Sequence, residues 1–237
     1  MSDSSRFSVH NTLVRRVQLD GKPFIEKTIR CNVPLPMSLD ELNGSFAEYR
    51  EHLQAAGIAM PSVVESRVDG DCIVCLCEDG GPNLVERYER PEALVRSAPD
   101  VVASVARVLK KAMAADVALD PHIKNFVGQG PDLLYVDFSP PLVDSYIDAR
   151  LSVASDPEER SILQKNFSYF TADSLPYHFA GDFLNLDPGA EALFPDLHAV
   201  LQQEGLIPGV GLRDFTSTAS SIRALEDLRL RKQIFMI

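Results

Sequence analysis

The chain lacks the segments that would place it in a membrane or export it. No apolar run approaches the ~20 residues that a membrane-spanning helix needs, and residues 1–5 are polar, without the apolar stretch of a signal peptide. Positive charge is also scarce, since 23 Lys and Arg stand against 34 Asp and Glu, a net charge of −11. An acidic surface repels phosphate backbones and anionic lipids. We therefore expect a cytoplasmic protein with neither nucleic acid nor membrane as its partner.

Cysteine is sparse as well, and familiar catalytic motifs are absent. Three of the four cysteines lie in residues 72–77, but a zinc site would need a second pair or suitably spaced histidines, and only Cys31 remains. We interpret residues 72–77 as a buried strand of reduced cysteines, with Cys75 and Cys77 facing one way and Cys72 the other. The sequence contains no Walker loop and no nucleophile elbow.

Residues 119–141 form the most informative stretch that is present. They place Asp120, then Asn125 five residues later, then Asp137 at the end of an apolar run. Phosphoryl transfer uses these three groups: one carboxylate orients the acceptor, while an amide oxygen and a second carboxylate hold magnesium. Residues 126–127 and 133–136 predict two short strands joined by a turn. A hairpin there would carry Asn125 and Asp137 to the same end, close enough to share a metal.

Around these residues the chain resembles the protein-kinase-like superfamily, and within it the aminoglycoside and choline phosphotransferase branch. That branch has the pattern His-Gly-Asp-x-His-x-x-Asn, followed by an Asp at the end of the next hairpin. The matching residues are Asp120, His122, Asn125, Asp137 and Phe138. Two positions depart from the pattern: Ala118 stands where the leading His is expected, and Ser139 replaces a glycine that often follows Asp-Phe.

Landmarks upstream follow the order of the same family. Residues 11–19 and 22–30 predict a hairpin closed by Asp20-Gly21, with Lys27 inside the second strand. Residues 38–57 predict a helix that begins with a Ser cap. After the strand at residues 72–77 comes an acidic segment with glycines, as expected for the hinge between two lobes.

The resemblance implies an α+β, two-lobed kinase-like fold. Residues 1–79 would form a nucleotide-binding lobe with a small antiparallel sheet and one helix, and residues 80–237 a larger, mainly helical lobe that binds the acceptor. The implied function is an ATP- and magnesium-dependent phosphotransferase acting on a hydroxyl of a small molecule. The implied catalytic and metal residues are Asp120, His122, Asn125 and Asp137, although His122 could equally brace the loop. The implied nucleotide-binding residues are Lys27 with Glu48 as its partner, and Glu78 and Gly80 near the adenine.

The partner of Lys27 and the role of the acidic residues after the second hairpin each have an alternative. Glu41 or Glu51 could replace Glu48, because all three lie in the same predicted helix. Residues 143–208 contain eleven acidic residues against three basic ones, which indicates either a solvated acidic surface or a funnel for an amine-bearing acceptor. In the second case Asp144 and Asp148, four apart on one helix, are the acceptor contacts.

One family feature is missing from the sequence. Kinases lay a glycine-rich hairpin over the nucleotide phosphates, but residues 1–10 contain no glycine. Either residues 6–9 form a short strand with a glycine-free turn at residues 10–11, or the covering loop is absent. Two other functions therefore remain: a pseudokinase that binds nucleotide or a partner protein without transfer, and a kinase-fold enzyme that transfers a nucleotidyl group.

Overall fold

The chain begins with a four-stranded antiparallel sheet. The computed structural model describes residues 12–128 and 132–237, so the predicted turn at residues 10–11, the strand at residues 6–9 and the tip of the second hairpin lie outside the described residues. The strands are β1 (Thr12–Leu19), β2 (Lys22–Arg30), β3 (Val63–Asp69) and β4 (Cys72–Glu78), in the order β1-β2-β4-β3. Asp20 and Gly21 both have positive φ, as a two-residue hairpin turn requires. Three strands are as predicted; β3 is an additional edge strand.

Helix α1 (Leu39–Ala55) packs against one face of this sheet. Ser38 caps it in a reciprocal arrangement with Glu41, as the sequence predicts. Its apolar residues recur at helical spacing and are buried: Leu42, Phe46, Tyr49 and Leu53. They join a core with Cys75 and Cys77, whereas Cys72 lies outside it, so the predicted orientation of the cysteines is confirmed.

The remainder of the described chain is mostly helical. Its helices are α2 (Leu84–Tyr88), α3 (Pro91–Ser97), α4 (Pro99–Ala115), α5 (Asp144–Ser152), α6 (Pro157–Ser168), α7 (Leu175–Leu186), α8 (Phe194–Gln203) and α9 (Leu212–Arg231). The predicted α+β class, with an N-terminal sheet and a mainly helical remainder, is confirmed. None of the helices in residues 12–128 and 132–237 combines the length and apolar character needed to cross a bilayer.

A short hairpin between α4 and α5, formed by β5 (Phe126–Val127) and β6 (Leu134–Tyr135), meets the segment that follows β4. Gly80 of that segment packs so closely that an added Cβ would lie 2.6 Å from Cγ2 of Val127. Asp79 accepts a hydrogen bond from the Gly81 amide at 2.9 Å and pairs with Arg16 of β1 at 2.6 Å. The connection between sheet and helices is therefore fixed by close packing as well as by charge.

Candidate active site

The β5–β6 hairpin sets the register of the site. Phe126 pairs with Tyr135 and Val127 with Leu134. One step further, the amide of Val136 donates to the carbonyl of Asn125 at 2.9 Å. Asp137 follows directly, so Asn125 and Asp137 lie at the same end of the hairpin, as the sequence predicts.

Asn125 is buried and anchored by its amide nitrogen. It ends a short 3-10 turn, and its Nδ2 donates to the backbone carbonyl of Asp120 at 3.2 Å. This bond fixes which way the amide points and leaves its oxygen as the group that can bind a metal.

Asp137 is a half-buried carboxylate beside Lys27. Its Oδ1 accepts the amide hydrogen of Ser139 at 3.2 Å. Burial raises its pKa; the positive charge of Lys27 opposes this rise and the negative charge of Asp120 adds to it. A carboxylate and an amide oxygen at the same end of the hairpin are donors that suit a hard divalent cation.

Lys27 reaches the same place from the sheet. Its side chain is 8% exposed and lies on the face of β2 that α1 covers. The Nζ donates to the carbonyl of Val136 and lies 4.6 Å from the ring centroid of Phe138. The strand that the sequence assigns to phosphate binding therefore delivers its lysine beside Asp137.

The expected partner of Lys27 does not reach it. Glu48 lies on the exposed face of α1 because the helix turns Tyr49 inward. Glu41 is used in the N-terminal cap and Glu51 is exposed. Among the described residues, no ion pair joins Lys27 to any of the three acids. The predicted Lys27–Glu48 pair is not formed. The α1 side chains beside Phe138 are Phe46, with ring centroids 6.1 Å apart, and Arg50, whose Cζ is 5.2 Å from the ring centroid.

His122 is held by carboxylates on both sides. Its Nδ1 contacts Oδ1 of Asp120, and its Nε2 lies 3.6 Å from Asp182 and 3.5 Å from Glu226. Burial lowers the pKa of this imidazole, but the charge of Asp120 and the other acids outweighs burial and raises the pKa to about 10. In return, His122 outweighs the burial of Asp120 and holds the pKa of that carboxyl well below its usual range. The geometry favours the bracing role of His122.

A second layer of polar residues supports this brace from α7 and α9. Asp182 accepts the Ile123 amide hydrogen at 2.7 Å. His178 faces Glu226 at 2.9 Å through Nε2 and the Tyr169 carbonyl at 3.2 Å through Nδ1. These residues were not predicted from the sequence, although His178 and Asp182 stand four apart in a mainly apolar helix and so lie on one face of it.

Asp120, His122 and His178 also form a possible metal-binding group. One ligand atom of each lies within 4.8 Å of the others. A histidine ligand must offer a nitrogen lone pair, whereas both nitrogens of His178 already face oxygen acceptors. Metal binding there would break a buried ion pair, so the oxygen-rich group around Asp137 is the better candidate.

The remaining predicted residues are not brought to this site by any contact of the described chain. Glu78 is exposed at the end of β4, and Gly80 contacts the hairpin rather than an open space. Asp144 and Asp148 are exposed on α5, on the side away from buried Tyr146 and Arg150. Their roles in binding adenine or acceptor stay predictions.

Comparison with known proteins adds no relative. No protein-family model matches the chain, and no curated protein matches its sequence. The functional argument therefore depends on the residues and their geometry.

Proposed function

We propose that the protein is a phosphotransferase of the protein-kinase-like class, using ATP and magnesium to phosphorylate a hydroxyl of a small molecule. The observation that best supports this is the convergence of Asp120, Asn125 and Asp137 at one end of a hairpin, with Lys27 reaching them from the sheet. The antiparallel sheet with its single packed helix, followed by a mainly helical part, is the architecture that such a protein would have.

Asp120 orients the acceptor in this proposal. One of its oxygens is occupied by His122, which leaves the other to accept a hydrogen bond from the attacking hydroxyl. Because its pKa is low, Asp120 is a weak base and takes the proton only as the hydroxyl becomes acidic on bond formation. Alignment and charge stabilisation therefore supply most of the rate.

The phosphate donor, ATP, is bound by Lys27, Asn125 and Asp137 in this proposal. Lys27 binds phosphate oxygens, for which it must exchange the Val136 carbonyl or use its other two N–H groups. Asn125 and Asp137 hold the magnesium ion, which when bound neutralises charge on the phosphates. These residues fit such an ion because Asn125 bonds through its amide nitrogen, which leaves its oxygen as a donor beside the Asp137 carboxylate.

The acceptor is inferred from charge. The acidic excess in residues 143–208 favours an amine-bearing molecule over an anionic one. Asp144 and Asp148 stay the named candidates, although both are exposed on α5. Turnover that is confined to anionic or neutral acceptors would assign these acids to the solvated surface.

The transfer reaction is tested by an acceptor screen read out by product mass. Asp120→Asn should lower turnover by about 10²–10⁴-fold while leaving ATP affinity nearly unchanged, whereas Lys27→Met should weaken ATP binding as well. A product that gains one phosphate supports the proposal, and one that gains a nucleotidyl group supports the other transfer chemistry. Unchanged turnover in Asp120→Asn would remove Asp120 from the acceptor site.

A pseudokinase is the second candidate, and a specific observation favours it. Lys27 is already bonded to the Val136 carbonyl and Asp120 to His122, so the groups that would meet nucleotide and acceptor are partly occupied. The protein would then bind a nucleotide or a partner protein without transfer. Nucleotide binding with no phosphorylated product across all acceptors, including protein acceptors, would select this function.

A further inference from the structure

Two buried polar atoms beside Phe138 have no hydrogen-bond partner. They are one terminal guanidinium nitrogen of Arg50 and the hydroxyl of Ser139. A buried donor without a partner loses its hydration and gains nothing in exchange, so native proteins rarely leave one unmatched. Other unmatched buried atoms belong to Arg150, Asn166, Glu226 and Arg229, but the pair at Arg50 and Ser139 is set apart by Phe138, whose ring Lys27 also contacts.

The unmatched groups all have hydrogens to donate. Arg50 and Lys27 lie 5.2 Å and 4.6 Å from the same ring centroid, and Lys27 has one recorded acceptor for its three N–H groups. One carboxylate oxygen of Asp137 already accepts the amide hydrogen of Ser139. A ligand that satisfies this set must bring several acceptor oxygens and negative charge.

The positive charges of Lys27 and Arg50 both act on Cys77 in β4. Burial raises the pKa of the Cys77 thiol, and the positive charges of Lys27 and Arg50 oppose that rise. Arg50 thus stands on the part of α1 where an acid is expected to neutralise Lys27. Lys27 and Arg50 together therefore offer two positive charges beside the carboxylate of Asp137, and this pair of cations can bind an anion.

We propose that Arg50, Lys27 and Ser139 form an anion subsite that binds phosphate oxygens of the nucleotide. This inference rests on the proposed function and extends it. A guanidinium presents paired N–H groups in a fixed plane, so Arg50 does from α1 what backbone N–H groups of a glycine-rich loop do in kinases. The absence of glycine from residues 1–10 then has a compensation within the described fold.

A purely structural arginine would behave differently when replaced. Removing a structural arginine lowers stability, because its bonds and packing are lost. Removing an arginine whose buried N–H group has no acceptor removes the free-energy cost of that group's lost hydration. We therefore expect Arg50→Met to melt at or above the temperature of the parent without ligand, while losing affinity for phosphate ligands.

The experiment measures binding of inorganic tripolyphosphate, ATP and adenosine to the full chain by calorimetry. Arg50→Met should weaken tripolyphosphate and ATP about tenfold or more, since bonds to charged groups contribute more than neutral ones, and adenosine should stay within about twofold. Arg50→Lys should retain part of the affinity, and Ser139→Ala should lose a smaller factor. Arg15→Met is the matched control, because Arg15 is exposed on β1 and pairs with Glu26.

The outcomes separate this inference from the proposed function. If parent and Arg50→Met bind ATP equally, the nucleotide proposal stands and the subsite is overturned. If tripolyphosphate binds through Arg50 but ATP and adenosine do not bind, the subsite stands and the nucleotide proposal fails. Stronger ATP binding in Arg50→Met would make Arg50 a blocking residue and would also overturn the subsite. Should Arg50→Met not fold, Arg50→Lys and Ser139→Ala take its place. Tripolyphosphate affinity equal to that of the parent in both variants would then overturn the subsite.

Discussion

The loop from Asp120 to Asn125 lies between a helical region and a sheet region that differ in how their buried polar groups are paired. On its helical side, His122 lies against Asp120, Asp182 and Glu226, and His178 lies against Glu226, of which one oxygen has no hydrogen-bond partner. On its sheet side, the donors of Lys27, Arg50 and Ser139 outnumber the acceptors that face them. Matched buried charges hold a loop in place, whereas unmatched donors need a ligand. We therefore propose that the helices hold the loop in place and that the sheet side binds the ligand.

The largest effect is expected where the matched side is broken. Glu226→Ala removes the carboxylate that faces both histidines and leaves buried positive charge without its partner. We expect the free energy of unfolding to fall by about 3–5 kcal/mol in urea denaturation. Glu191→Ala, at an exposed acid, is the control and should change it by less than about 0.5 kcal/mol. A loss at Glu226 as small as at Glu191 would contradict the bracing role of the helical side.

The pH dependence of stability is the next largest effect. The pKa of His122 is about 10 in the folded protein against an ordinary value of 6.5, so its contribution to stability is complete below about pH 6.5 and is lost as pH rises towards 10. Burial raises the pKa of Glu226, but His178 outweighs this and lowers it to about 2, so its contribution is lost as pH falls below about 4.5. We expect maximal stability near pH 5–6.5. In His122→Gln, the decline above pH 6.5 should become shallower by about 1–2 kcal/mol, and an unchanged alkaline decline would show that His122 is not the charged brace.

Replacing each of two glycines by alanine should change the stability by smaller amounts and in opposite directions. Gly80→Ala places a Cβ 2.6 Å from Cγ2 of Val127 and should destabilise the fold by about 1–3 kcal/mol, because the segment after β4 must shift from the hairpin. Gly44→Ala, in α1 with nothing within 4 Å of the added Cβ, should stabilise by about 0.5–1 kcal/mol. Thermal melting measures both. A neutral Gly80→Ala would mean that the sheet side is not packed against β5–β6.

The sequence predicted what local patterns determine. The β1–β2 turn, the capped start of α1 and the β5–β6 hairpin depend on neighbouring residues, and the structure confirms them. Helix α4 and helix α7 were missed, although their apolar spacing was present in the sequence.

Long-range pairing could not be predicted in the same way. Glu48 was chosen for Lys27 by its position in the chain, but helical phase turns it to solvent and brings Arg50 towards Phe138. Glu226 lies 104 residues beyond His122 in sequence, and only the packing of α7 against α9 reveals their proximity. Patterns fix each element, whereas tertiary packing decides which side chains meet.

Magnesium-ATP binding to the parent and to Asp137→Ala is the most direct test of the account. Saturating magnesium-ATP should raise the melting temperature of the parent by about 5–10 °C, as mass action gives for a ligand well above its dissociation constant. Asp137→Ala should lose the magnesium-dependent part of that rise, because it removes one of the two groups that hold the ion. No rise in the parent with any nucleoside triphosphate, with or without magnesium, would contradict the assignment of the sheet side to nucleotide binding.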